Sequence, residues 1–251
     1  MVETPLILQT VDLTKHFGMI KGAEGVSIEI NQGQLVGIVG SNGSGKTTFL
    51  NLITGYLKPE RGRILLLGRD TTGLPPRAVT RLGVARSFQV PQLYTHMNVL
   101  ECMLLSLAAE SRNGGSFWQP LLKDSRRSKG LETLERFGLG AYALRPVSEL
   151  PEGGRKLLDI ALSFALKPRL LLMDEPTSGV SIEDKFEVME TLVKVLQESN
   201  VTTIFVEHDM EVVQRYAARV LVFNEGRVIA DGKPDTVLAD PEVSSIVLGR
   251  V

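Results

Sequence analysis

Three short stretches carry residue types suited to handling a phosphate chain. Gly40-Ser41-Asn42-Gly43-Ser44-Gly45-Lys46-Thr47 fits the pattern G-x-x-x-x-G-K-[S/T]. Its glycines let the backbone wrap closely, so that successive N–H groups face phosphate oxygens. Lys46 offers a point charge to the β- and γ-phosphates and Thr47 a hydroxyl to Mg²⁺, with Thr48 next in the helix that follows. The start of that helix adds a favourable dipole. The second stretch, Leu170-Leu171-Leu172-Met173-Asp174-Glu175, is an apolar run ending in two acids. Asp174 is placed to hold the shell of a Mg²⁺ ion and Glu175 to polarise an attacking water. In the third, Glu207-His208-Asp209, a histidine at the end of a strand is placed to reach a γ-phosphate.

Each stretch has a blander reading: a glycine-rich turn with an incidental lysine, a two-acid turn before Pro176, a surface histidine at a loop. Finding all three in one chain weighs against them. A dinucleotide-binding fingerprint fails, because Thr48 occupies its third glycine position. His16, His96 and His208 lack the spacing of zinc ligands. Cys102, in an apolar helical stretch, reads as core rather than as a nucleophile.

The elements needed to position these residues are legible in the hydrophobic pattern. Leu6–Leu13 and Val26–Ile30 read as strands, and Leu35–Val39 is a short apolar run entering the glycine-rich turn. A helix is predicted from Lys46 to Thr54 with Gly55 as its stop, then a strand over Ile64–Leu67 and a break at Pro75-Pro76 able to start a short helix. Asn98–Ala109 has helical spacing with Asn98 as N-cap, residues 111–120 read as a loop, and Leu121–Phe137 as a charged helix. Strands at Arg169–Met173, Thr202–Val206 and Val220–Phe223 alternate with helices at Ile182–Ser199 and Met210–Ala217. Such alternation implies an α/β fold with a parallel core. Residues 1–94 and 161–251 form that core, interrupted by a helical subdomain at about 95–160 within a single 1–251 domain.

Composition narrows the class. The 251 residues carry 28 Lys plus Arg against 29 Asp plus Glu, and 43 % are apolar, which excludes low-hydropathy disorder and gives no sign of a nucleic-acid-binding surface. A single cysteine excludes an intrachain disulfide framework. No apolar run nears the roughly 18–20 residues of a membrane span. The N-terminus lacks a basic stretch followed by an apolar one, which argues against a secretory leader. For a chain with no membrane span the composition is nonetheless rather apolar.

Taken together, these motifs resemble those of the ATP-binding-cassette ATPases, the motor subunits of ABC transporters, from about Leu6 to Leu248. Within that family the chain looks most like the first ATPase subunit of bacterial branched-chain amino acid importers. The features behind this are Arg86-Ser87-Phe88-Gln89, the long 110–130 segment, Val206-Glu207-His208-Asp209-Met210 and the terminal Asp240-Pro241-Glu242-Val243. The resemblance implies a P-loop fold: a mixed sheet with a RecA-like core, an antiparallel N-terminal part and an inserted helical subdomain. It implies ATP and Mg²⁺ as cofactors, Phe17 stacking on adenine, and Gln89 touching Mg²⁺. It also makes Asp174, Glu175 and His208 the Walker B aspartate, catalytic glutamate and switch histidine. A G-protein alternative lacks its Asn-Lys-x-Asp.

The cassette signature, usually Leu-Ser-Gly-Gly-Gln, corresponds to Leu150-Pro151-Glu152-Gly153-Gly154. Pro151 replaces the serine and Gly154 the glutamine; the proline removes a hydroxyl and an N–H donor, each worth about 1–3 kcal/mol toward a charged acceptor, although proline is tolerated in a first helical turn. Ser181 stands where the family usually has aspartate. Both departures lie in elements acting across a dimer. They imply a heterodimer with a second ATPase subunit of ordinary signature, a homodimer being the alternative. Two transmembrane permease subunits, a periplasmic or extracellular solute-binding protein and a place on the cytoplasmic face of the membrane complete the implied assembly. An exporter or lipid-type transporter, a urea or amide importer, a soluble DNA-acting member and a nucleotide-binding subunit without turnover are the competing readings.

Overall fold

The structure, a computed structural model, describes residues 5–89, 91–110 and 124–248. The loop expected at 111–120 and the first residues of the helix expected from Leu121 lie outside them. The chain opens with a hairpin, β1 (Leu6–Phe17) and β2 (Ile20–Asn31), followed by β3 (Leu35–Val39) and α1 (Lys46–Ile53). Two short strands, β4 (Arg61–Leu66) and β5 (Arg69–Asp70), lead through α2 (Pro76–Arg81) to β6 (Val84–Ser87). Three helices follow: α3 (Val99–Glu110), α4 (Asp124–Arg136) and α5 (Glu152–Phe164). Next come β7 (Leu170–Asp174), α6 (Asp184–Glu198), β8 (Thr202–Val206) and α7 (Met210–Tyr216). The chain closes with β9 (Arg219–Asn224), β10 (Arg227–Gly232), α8 (Pro234–Val237) and α9 (Pro241–Leu248).

Strands β2-β1-β4-β5 form an antiparallel sheet, and β10-β9-β3-β8-β7-β6 a six-stranded one in which only β10 runs antiparallel. The fold is therefore α/β with a mixed sheet. Period-2 geometry sorts the central strands between two cores. Val36, Ile38, Leu170, Leu172, Ile204 and Val206 face the antiparallel sheet and α1, while Leu35, Val39, Leu171, Met173 and Phe205 face the helices α3 to α7. Strands buried on both faces read as unbroken apolar runs, which is why they were visible in the sequence.

The first strand runs four residues past the predicted Leu13. Its polar tail continues the ladder with β2 and is tied down by an ion pair from Lys15 to Glu60 at 3.1 Å and a hydrogen bond between His16 Nε2 and the Glu24 carboxylate at 3.0 Å. Asn98 caps α3 as expected: its Oδ1 accepts the Glu101 N–H at 2.8 Å, and the Glu101 carboxylate accepts the Asn98 N–H at 2.8 Å. Strands β5, β6 and β10 have no counterpart among the predicted elements. Among the described residues no helix is long and apolar enough to cross a membrane.

Candidate active site

Parallel register brings the chemistry to one edge. Asp174 is level with Val206, Val39 with Val222, and Ser87 with Met173, so the segments leaving β3, β6, β7 and β8 emerge side by side. Ligands bind at such carboxyl ends in open α/β sheets. The loop Gly40–Thr47, the residue pair Phe88-Gln89, Glu175 and His208 all project from this edge.

The loop has little freedom to be anything but glycine-rich. A Cβ on Gly40 (φ 148°) would sit 2.2 Å from the Phe223 carbonyl oxygen, and one on Gly45 (φ 108°) 2.4 Å from that of Gly22. Gly45 is the N-cap of α1 and offers no side-chain acceptor, so the first-turn N–H groups lack a side-chain cap. Lys46 is buried, and its ammonium donates to the carbonyls of Gly40 at 2.7 Å and Ser41 at 2.8 Å, curling over the loop. Burial lowers its pKa, opposed by the negative charges of Glu175 and Asp174. Open N–H groups under an ammonium fit an anionic phosphate chain. Ser44 is buried, whereas Asn42, Gly43 and Thr47 are exposed and Thr48 is half-buried.

Phe17, at the end of β1, is 45 % exposed. It abuts Gly22, where an added Cβ would meet Phe17 Cε2 at 2.7 Å and Thr48 Cγ2 at 2.9 Å. An exposed aromatic face therefore stands beside α1, as stacking on a base requires.

Glu175 is the hub of the edge. Its Oε2 accepts the Gln89 side-chain amide at 2.6 Å, and its Oε1 lies 2.9 Å from His208 Nε2. Its N–H is bonded to the Val206 carbonyl at 2.9 Å, and its backbone is left-handed at φ 51°. Asp174 is buried and paired with Arg86, whose second amine donates to Asn51 Oδ1 at 2.6 Å. Glu207, raised in pKa by burial, accepts Thr177 N–H at 2.9 Å and Thr177 Oγ1 at 2.7 Å, joining the loops after β7 and β8.

The signature segment lies apart from this cluster. Among the described residues no hydrogen bond joins Leu150–Gly154 to Gly40–Thr47. Leu150 is buried, Gly153 half-buried and Gly154 buried, while Pro151 and Glu152 are exposed. Pro151 occupies the N-cap of α5 in extended conformation (φ −62°, ψ 164°) rather than the first helical turn, and supplies no capping oxygen. Glu152 pairs with Arg155 at 3.2 Å. Ser181 accepts the Asp184 N–H at 3.1 Å at the start of α6.

Several residues the sequence reading gave no role turn out to build the site. Arg86 grips Asp174; Lys156 donates to the Gln89 and Glu175 carbonyls; Asp159 accepts the Phe88 N–H at 3.2 Å. The signal available in each case was an ionisable residue at an otherwise apolar position of β6 or α5. Cys102 is buried, and burial raises its thiol pKa.

Comparison with known proteins places this geometry. A family profile described as ABC transporter matches residues 23–178. The high-affinity branched-chain amino acid transport ATP-binding protein BraF of Pseudomonas aeruginosa is 32 % identical over 97 % of this chain and 98 % of its own length. LivG of Escherichia coli K12, of the same description, is 33 % identical over 97 % and 98 %. The probable LivG of Methanocaldococcus jannaschii is 33 % identical over the whole of both chains. Among solved structures, an ATP-binding cassette of an ABC transporter in its ADP conformation is similar with a TM-score of 0.87 and 32 % identity, covering 98 % of this chain and 99 % of that one. A dimeric cassette in a post-hydrolysis state bound to ADP and Pi gives 0.78 and 27 %, covering 91 % and 99 %.

Proposed function

This chain belongs to the ABC transporter family of ATP-binding subunits, and from that premise we propose how its residues divide the work. It is an ATPase whose hydrolysis drives transport. The triphosphate lies along Gly40–Thr47 with Lys46 on its β- and γ-phosphates, and adenine stacks on Phe17. Thr47, Asp174 and Gln89 would hold Mg²⁺, which when bound neutralises charge on the β- and γ-oxygens. Glu175 takes the proton of a water that attacks the γ-phosphorus while the bond to the β–γ bridging oxygen breaks. His208 and Gln89 orient that carboxylate. The observation that carries this reading is the bridging of Glu175 by Gln89 and His208 from two other strands.

The solute class supported by the relatives' names is branched-chain amino acids. Residues about 95–160 act as a helical subdomain, with the surface around Gln89 receiving a permease on the cytoplasmic face of the membrane. Exposed Met19, Ile20 and Ile182 are apolar surface of the sort that subunit interfaces cover. The second ATPase subunit differs from this one. The site built on Lys46 and Glu175 hydrolyses ATP, completed by the partner's ordinary signature, whereas the site completed by Pro151 and Glu152 mainly binds it. Glu175→Gln and the equivalent change in the partner, compared in the assembled transporter, test this. Loss of ATPase activity chiefly from Glu175→Gln is expected, and equal loss from both would sink the asymmetric assignment.

A further inference from the structure

We propose that Lys156 is a positioning residue, one that ties the first turns of α5 to the catalytic edge, so that the contact made at the signature end sets where Gln89 and Glu175 stand. Lys156 is five residues beyond Pro151 and 3 % exposed. Its ammonium donates to the Gln89 carbonyl and, at 3.3 Å, to the Glu175 carbonyl. One turn further on, Asp159 accepts the Phe88 N–H at 3.2 Å. Positions three apart share a helix face, so a single face of α5 grips residues 88, 89 and 175.

A buried ammonium is costly unless its donors are satisfied, and three donors let one lysine span two carbonyls at once. Those carbonyls belong to the two residues whose side chains meet at 2.6 Å. The remainder of the helix is anchored in the core through Leu158, Ile160 and Ala161, so α5 moves as a rigid rod rather than absorbing a displacement locally. Shifting its signature end therefore drags both carbonyls. This inference rests on the reading that Glu175 activates water.

The test uses the native complex purified through this chain, with Lys156→Met, Lys156→Arg and Glu175→Gln compared for kcat and KM. Lys156→Met keeps the length and apolar stem but removes the donors. Its kcat is expected to fall at least about tenfold with KM for ATP within about threefold, and Lys156→Arg to restore kcat to within about threefold. Lys156→Gln carries the same thresholds should the Met variant not fold. Near-parental kcat in Lys156→Met beside an inactive Glu175→Gln overturns the role of Lys156 alone. Near-parental turnover in Glu175→Gln overturns the reading of the site, and the inference with it.

Discussion

Arg86 Nη2 lies 2.7 Å from Asp174 Oδ2, with the two side chains only 6 % and 9 % exposed. A guanidinium on the edge strand β6 thus holds the acid proposed to bind the metal. The pair links β6 to the end of β7, and Asn51 of α1 completes it.

Removing one member of a buried pair strands the other. Arg86→Met is expected to cost about 3–5 kcal/mol of folding stability, because Asp174 is left charged and unpaired. Adding Asp174→Asn should recover much of it. Urea unfolding of the two variants decides the point, and a loss under about 1 kcal/mol in Arg86→Met would contradict it.

Asp159 gives a pH dependence of definite sign. Burial lifts its carboxyl to about 6 from the ordinary 3.8, against the pull of the Phe88 and Gln92 N–H groups and the Lys156 charge. Between those values the folded chain keeps a proton that the unfolded chain has released. Stability from this group is therefore highest below pH 4, falls as pH rises toward 6, and is level above, by about 3 kcal/mol in all. Asp159→Asn abolishes that slope. Unfolding midpoints at pH 4.5 and 7 should show the variant gaining on the parent at the higher pH; a constant difference would refute it.

Gly45→Ala has nowhere to put its methyl, which would stand 2.4 Å from a backbone oxygen at a φ of 108°. Stability should fall by roughly 2 kcal/mol or more and nucleotide affinity with it. Melting curves and titration with a fluorescent ATP analogue measure both. A parent-like melting temperature together with affinity within about threefold of parent would mean the loop is not held as described.

Pro151→Ser restores an oxygen and an N–H where α5 has neither. Contacts to a charged acceptor of about 1–3 kcal/mol correspond to roughly five- to 150-fold. The turnover of the site this helix completes should rise accordingly from its low level in the assembled complex carrying Glu175→Gln, where the Glu175 site no longer contributes. No rise would show that Glu152 or the Ser181 loop, not the proline, limits that site.

The parts of the site that were legible in the sequence share a physical cause. Strand β7 is buried on both faces, so Leu170–Met173 is continuously apolar and Asp174 and Glu175 mark its exit. The loop at Gly40–Thr47 requires glycines by steric exclusion, and those glycines are countable. Strand β6 was invisible for the opposite reason: four residues with an arginine at the third carry no strand pattern unless Asp174, eighty-eight residues on, is known to neutralise it. Lys156 and Asp159 were harder to single out, since α5 carries four charged residues and its sequence does not separate these two, which face backbone groups of the Phe88-Gln89 segment, from Glu152 and Arg155, which pair with each other. Pro151 was expected inside the first turn and stands one position earlier, because its extended ψ begins the helix at Glu152.

Glu175 occupies a left-handed backbone that glycine adopts freely and a glutamate does not. Conformations of that kind cost on the order of 1–3 kcal/mol. At this position fitness of the fold and the proposed role in turnover pull in opposite directions: a glycine would relax the turn and erase the carboxylate proposed to activate water. Random variants screened only for thermal tolerance would accordingly drift toward glycine here and lose turnover, whereas a screen for ATP-driven transport would keep the strained acid.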